Sequence, residues 1–224
     1  MILVDGENNL ECEVNSRKLN FIIIENNIYF QKFISDIYNQ INKLEENLIL
    51  YNGDYDMLDM NKFCDVIFST MDISLQNSKI NKKFIKYLQD EIIVNDINER
   101  FIANHSQLVN ILDEFKNISD YEFVYNDEYS LDQILKNNSV KLKEYSGSFA
   151  ERLIEYIKVS RDFLNINIFF LVGCKIYFSD SDYEHLKKWT EYQDITCIFI
   201  ERDDTYMPLN ANKYILDRDM CIIH

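Results

Sequence analysis

At 224 residues the chain is long enough to bury a sizeable core, and 47% apolar residues exclude an intrinsically disordered protein. Its 38 Asp and Glu against 23 Lys and Arg leave a net charge of −15, which repels polyphosphate at long range. Salt screens that field within about 8 Å, so only the local distribution of charge decides what can touch a phosphate.

Taken in order, Met1 to Val14 alternates weakly and reads as an edge hairpin. Leu19 to Glu25 is a buried strand. It runs into a helix from about Ile28 to Leu44, with Phe30, Phe33, Ile34, Ile37, Ile41 and Leu44 at helical spacing. Leu48–Tyr51 and Val66–Phe68 are short strands, and strand–helix–strand here predicts that the amino-terminal part joins the main sheet. From Ser78 to about Lys116 the pattern is wholly helical. Ile80, Phe84, Leu88 and Ile92 form one stripe, and Ile102, Leu108, Ile111, Leu112 and Phe115 a second. Two long helices without an intervening strand predict a helical lobe inserted into an α/β protein. Ser130 to Gln133 then caps a short helix, Lys141 to Lys143 is a minor strand, and Ser148 to Glu151 caps a long helix with Phe149, Leu153, Ile157 and Leu164 inward.

The carboxy-terminal part organises the rest. Ile168 to Val172 is too short to span a membrane and reads as a fully buried strand. Ser181 to Glu184 forms a capping box opening a helix with Tyr183, Leu186 and Trp189 on one side, and Ile195 to Ile200 is a second buried strand. Strand, helix, strand in this length predicts a βαβ unit and a mainly parallel sheet. The expected division is residues 1–77 with 146–224 as an α/β head, and 78–145 as the helical lobe. One Pro and four Gly leave no flexible linker between them. With no signal peptide and no apolar run of bilayer length, a soluble, cytoplasmic protein without a membrane partner is expected.

The five cysteines show no CxxC spacing and mostly sit in apolar runs, where a free thiol acts as a small hydrophobe. His105, His185 and His224 are isolated, so no zinc site is expected. The turn after the first parallel strand, Glu25 to Lys32, lacks the glycines and the Gly-Lys-Ser/Thr ending that close backbone amides on phosphate. Gly173-Cys174-Lys175 follows the next strand without the acid that a magnesium-nucleotide site needs. There is no Gly-x-Ser-x-Gly elbow. Glu201-Arg202-Asp203 reads as a polar turn after a strand. No enzyme is expected.

One feature is positive. Between Asp72 and Asp90 there is no acidic residue, while Lys79, Lys82, Lys83 and Lys86 all occur and fall on one face of a helix, opposite Ile80, Phe84 and Leu88. Such a stripe is either a solvated face or a surface that tracks phosphates without reading bases. A second feature is Asp120, Glu122, Asp127 and Glu128, oxygen ligands crowded into an irregular segment, which suit Ca²⁺ or simply an exposed loop. Asp54, Asp56 and Asp59 read as a turn.

Through these residues the chain resembles the CRISPR-associated Csn-two proteins, which serve spacer acquisition in type II-A systems. The likeness is carried by Phe169-Phe170-Leu171-Val172-Gly173, the Ser179-to-Trp189 helix, Cys197 to Arg202, the ending Lys213 to Asp219, and the first strand and helix, Leu19 to Gln40. The resemblance implies a head like a degenerate P-loop nucleotide hydrolase and a helical leg lobe. It implies a homotetrameric ring that takes double-stranded DNA ends through a positively lined hole, with a structural Ca²⁺. Lys79, Lys82, Lys83 and Lys86 would line the hole. Asp120, Glu122, Asp127 and Glu128 fall where the family carries its calcium ligands. A CRISPR integrase complex and the type II effector nuclease are the implied protein partners. Two rival readings are a protein–protein scaffold of the adaptation complex that makes no DNA contact, and a cryptic nucleotide-binding protein.

Overall fold

A computed structural model describes residues 1–8, 10–45, 47–208 and 210–223. The chain divides into two compact units, Met1–Leu75 with Glu144–His224, and Gln76–Lys143.

The first unit is built on β-branched and aromatic runs. In β3 (Asn20–Ile24), β6 (Ile168–Val172) and β7 (Thr196–Glu201) every residue is buried, as strands covered on both faces require. With β5 (Cys64–Ile67), β8 (Asn212–Leu216) and β9 (Ile222–Ile223) they form a six-stranded sheet ordered β5-β6-β7-β3-β8-β9. All its pairings are parallel except β8 with β9. The βαβ expectation therefore holds, and the head is a mixed α/β unit with a mainly parallel sheet.

Alternation sorts the side chains of β3 and β7 to two faces. On one face, Ile22, Ile24, Phe170, Ile198 and Ile200 share a core with Phe33 and Ile37 of α1 (Asn27–Ile41). On the other, Phe21 stacks on Phe199 at 4.6 Å, and Tyr183 of α7 (Asp180–Gln193) stacks on Phe178 at 5.1 Å. Phe149, at the start of α6 (Phe149–Leu164), meets Phe178 edge-on. Ser148 and Glu151 form the expected capping box on α6.

Four local expectations are corrected. Leu48–Tyr51, now β4, does not join the main sheet. It pairs with β1 (Ile2–Asp5), whose other edge carries β2 (Leu10–Glu13), and the three make a separate sheet ordered β2-β1-β4. The amino-terminal hairpin thus takes β4 on its β1 edge, and Leu3, Leu10 and Leu50 share the core with Phe33 and Ile37 of α1. Helix α1 stops at Ile41, so Leu44 is exposed rather than inward. Helix α7 opens two residues earlier than the Ser181 box, because Ser179 accepts from the amide of Asp182 while Asp182 accepts from the amide of Ser179 at 2.9 Å. Lys141–Lys143 is not a strand. A one-turn helix, α2 (Met60–Phe63), capped by Asp59, leads into β5.

The first unit also clasps the two ends of the chain that leave it. Glu144 accepts from the Ser74 hydroxyl at 2.5 Å and from the Leu75 amide at 3.2 Å.

The second unit consists of α3 (Ser78–Val94), α4 (Asn98–Ile118) and α5 (Leu131–Asn137). Asn95 caps α3, and Asp96, in the left-handed region at φ 55°, reverses the chain into α4. Ile85 of α3 packs on Leu131 and Leu135 of α5, with Leu88, Ile92, Phe101, Tyr129 and Val140 partly buried around them. Helix α4 has no buried residue among those described. Its expected inward stripe faces outward: Ile102, Leu108, Ile111 and Phe115 are exposed. Among the described residues no helix is long and apolar enough to cross a membrane.

Candidate nucleic-acid interface

Helix α3 begins where Asn77 accepts from the amide of Ile80 at 2.9 Å. Its buried side is Ile80 and Ile85, with Phe84 and Leu88 partly buried. Helical geometry then sends residues 79, 82, 83 and 86 to the other side, and Lys79, Lys82, Lys83 and Lys86 are all exposed. None of the four forms an ion pair or hydrogen bond among the described residues. Other lysines of the molecule do, as in Lys32 with Glu7 and Lys136 with Asp132. Without an ion pair of their own among the described residues, the four ammonium groups are available to an outside anion, with Asp90 the next residue along the same helix face.

The second unit is also far closer to neutral than the chain as a whole. Residues 76–143 hold nine Lys and Arg against eleven Asp and Glu, whereas the rest hold fourteen against twenty-seven. A further part of this surface is not legible from the helix pattern. The Gln76 side chain donates to the carbonyl of Leu142 at 3.1 Å, which lays residues 141–143 beside the start of α3. Lys141 and Lys143 are exposed there, again without an ion-pair partner among the described residues. Read as a strand, that segment conceals them; the alternation Lys-Leu-Lys was the only signal.

The acidic segment lies elsewhere in the same unit. Residues 119–129 run back along α4 without regular structure. Tyr125 donates to Asp113 at 2.5 Å, a bond that pushes its hydroxyl up to about 12, and Lys116 sits 4.5 Å over its ring. The His105 ring meets the Asp127 carbonyl at 3.0 Å, and Tyr129 donates to Asn98 at 2.8 Å. Asp120, Glu122, Asp127 and Glu128 themselves are all exposed along this segment. Among the described residues no three His, Cys, Asp or Glu side chains are grouped so as to hold a metal ion.

The head holds a buried acid, Glu201, at the carboxyl edge of its sheet. Glu201 ends β7 in register with Ile23 of the neighbouring β3, the edge where open α/β sheets bind ligands. The residue is 3% exposed, its carboxylate accepts from the amide of Lys175 at 2.8 Å, and burial pushes the group up to about 7. The Lys175 ammonium is itself buried; it donates to the carbonyl of Asp203 at 2.8 Å and pairs with the Asp203 carboxylate, holding that group well below the usual range. So Glu201-Arg202-Asp203 is more than a polar turn: its first and third residues lock the loop after β6 to the loop after β7. Between β3 and α1, Asn26 caps the helix by accepting from Ile28 and Tyr29, each at 3.1 Å. Four cysteines are buried and Cys221 is exposed; burial pushes the Cys12, Cys174 and Cys197 thiols up to about 12, which leaves them protonated.

In solved structures, the chain is similar to the crystal structure of Stu0660 of Streptococcus thermophilus, with a TM-score of 0.68 and 14% sequence identity over 100% of this chain and 76% of that one. At that identity the likeness speaks for the fold alone. No curated protein matches the chain. The family model described as CRISPR-associated protein (Cas_Csn2) matches residues 40–220, which takes in both units, and the chain belongs to that CRISPR-associated family.

Proposed function

We propose that this chain binds the ends of double-stranded DNA without reading sequence, as a non-catalytic homotetrameric ring that supports spacer acquisition. The observation that carries the reading is the face of α3, where Lys79, Lys82, Lys83 and Lys86 are exposed and without ion-pair partners among the described residues, in a protein of net charge −15. Lysine acts as a point charge without forked geometry, which suits contact with a phosphate backbone. A ring answers the charge problem: copies of α3 gather ammonium groups around a duplex while the carboxylates of the head stay outside. In this reading the head is a nucleotide-hydrolase-like sheet without its nucleotide site, in keeping with the glycine-free Asn26 turn and a Glu201 engaged by its own chain.

Gel shifts with linear and closed-circular DNA over a salt series test it. Linear DNA is expected to bind, closed circles of the same sequence to bind weakly, and affinity to fall by roughly 0.9 log unit per log unit of salt for each phosphate neutralised. Changing all four lysines to Gln should weaken linear DNA binding about a hundredfold and flatten that slope. Equal binding to both topologies sinks the ring. Unchanged affinity in the lysine variant favours the scaffold that meets only an integrase complex or the effector nuclease. A melting temperature raised by ATP and Mg²⁺ favours the nucleotide-binding reading. Molecular mass in Ca²⁺ and then in chelator tests the ion directly: a mass that falls on chelation gives it a structural role between copies.

A further inference from the structure

We propose that the loops after β6 and β7 are fastened by a proton-controlled latch, closed while Glu201 is uncharged and loosened when it ionises. The latch lies wholly within the head and is independent of the ring reading above.

The loop after β6 begins at Gly173, whose φ of 63° lies in the left-handed region that favours glycine. Its amide donates to the carbonyl of Ile200 at 3.0 Å, so the loop starts out tied to β7. Two residues on, it is tied twice more. The Lys175 amide donates to the Glu201 carboxylate, while the Lys175 ammonium donates to the carbonyl of Asp203 and pairs with its side chain. Thr205 supports this second tie: its amide donates to the Asp203 carboxylate at 3.0 Å, and its hydroxyl oxygen stands 3.4 Å from the ammonium. The Lys175 carbonyl is held as well, accepting from the Tyr183 hydroxyl of α7 at 3.4 Å. Lys175 is 8% exposed, so neither tie is open to water.

Two acids lie near one cation here, and they do not share it equally. Asp203 is exposed and has the ammonium; Glu201 is enclosed and has a neutral amide. The field of the ammonium reaches Glu201 but falls short of offsetting its burial. The other groups that face Glu201 bring no positive charge. They are the Cys174 thiol, which is protonated, and the Tyr183 hydroxyl, with Asp72 a further negative charge beyond Cys174. Strand β3 contributes Ile23, in register with Glu201. Arg202 turns away, donating to Asn27 and lying 5.7 Å from the Phe30 ring. A carboxylate kept from water without a cation of its own is costly, whereas the protonated acid still accepts from the amide. Ionisation therefore favours whatever movement admits water to Glu201. Strand β7 is buried along its whole length, so the smaller movement is to swing the Lys175 segment out at Gly173. Closed, the latch fills with the chain's own lysine the edge where open α/β sheets take ligands; open, it presents an ammonium and a carboxylate there. Tyr177, whose ring lies 4.8 Å from Phe149 at the start of α6, belongs to the same segment.

Hydrogen exchange of the full chain, corrected for the intrinsic rate at each pH, tests this. With Glu201 at about 7 in the closed form and about 4.3 once hydrated, protection of the Lys175 amide should fall roughly fiftyfold from pH 5 to pH 8 and level off above pH 7. It should also stay below the protection of the β3 amides throughout, as local opening requires. In Glu201→Gln the amide keeps its acceptor and no charge develops, so protection should be the same at both ends of the range. Asp203→Asn weakens the other tie and should lower protection at every pH while leaving the slope in place. Acylation of Lys175 at pH 8, scaled to the exposed Lys62 in the same sample, should be about tenfold slower in the Gln variant than in the parent. A parent whose Lys175 protection is equal at pH 5 and pH 8 overturns the latch, and so does a Gln variant that keeps the parent's slope. Lys175 and β3 amides that exchange together overturn it as well, because the acid then acts on the whole fold. Should the Gln variant fail to fold, the parent's profile still decides.

Discussion

The head and the helical unit bury apolar residues in opposite ways. In the head, Phe170 and Phe199 are wholly enclosed between a sheet and its helices, and the surrounding strands have no exposed position. In the helical unit the longest helix of the molecule carries a regular apolar line of its own and leaves it in water. Periodicity reports which face of a helix wants a partner and is silent about whether the partner belongs to the same chain.

The contrast can be broken by measurement. Phe170→Ala should cost the fold about 3–5 kcal/mol in a denaturant titration. Phe115→Ala, read where copies are dissociated, should cost under about 1 kcal/mol. Similar losses from both would mean that α4 is buried by its own chain. Glu201→Gln probes the polar part of the head. Its carboxyl is pushed up to about 7 against about 4.3 in an unfolded chain, so the folded form holds the proton more tightly and stability falls as pH rises between those values. The Gln variant should match the parent near pH 4 and exceed it by about 3–4 kcal/mol at pH 8. A parent whose melting temperature is flat over that window would contradict the assignment. Ser148→Ala removes half of the capping box of α6 and should cost about 1 kcal/mol. Asn77→Ala should do much the same at the start of the lysine helix.

Much of the fold was legible because strong local signals agreed with tertiary need. Ile168–Val172 could only be an enclosed strand, Ser148 and Glu151 marked a helix start, and the spacing of Lys79, Lys82, Lys83 and Lys86 fixed one face before any neighbour was known. What failed depended on choices between near-equal partners. Leu48–Tyr51 reads as a strand in either sheet, and only the edge of β1 opposite β2 decides it. Ser179 and Ser181 both offer a cap, and the winner is the one whose third residue, Asp182, can answer. Lys141 and Lys143 gained their place from a single amide on Gln76. Glu201 resembled any acid after a strand until the Lys175 amide was found opposite it.

The clasp at Glu144 has a consequence for how the gene can be cut. Because one carboxylate holds Ser74 and Leu75 from the far end of a 68-residue excursion, the two cut ends already lie side by side. Splicing Leu75 to Glu144 through a short Gly-Asn turn should therefore yield a miniature that folds without the excursion, a platform onto which foreign helical modules can be grafted.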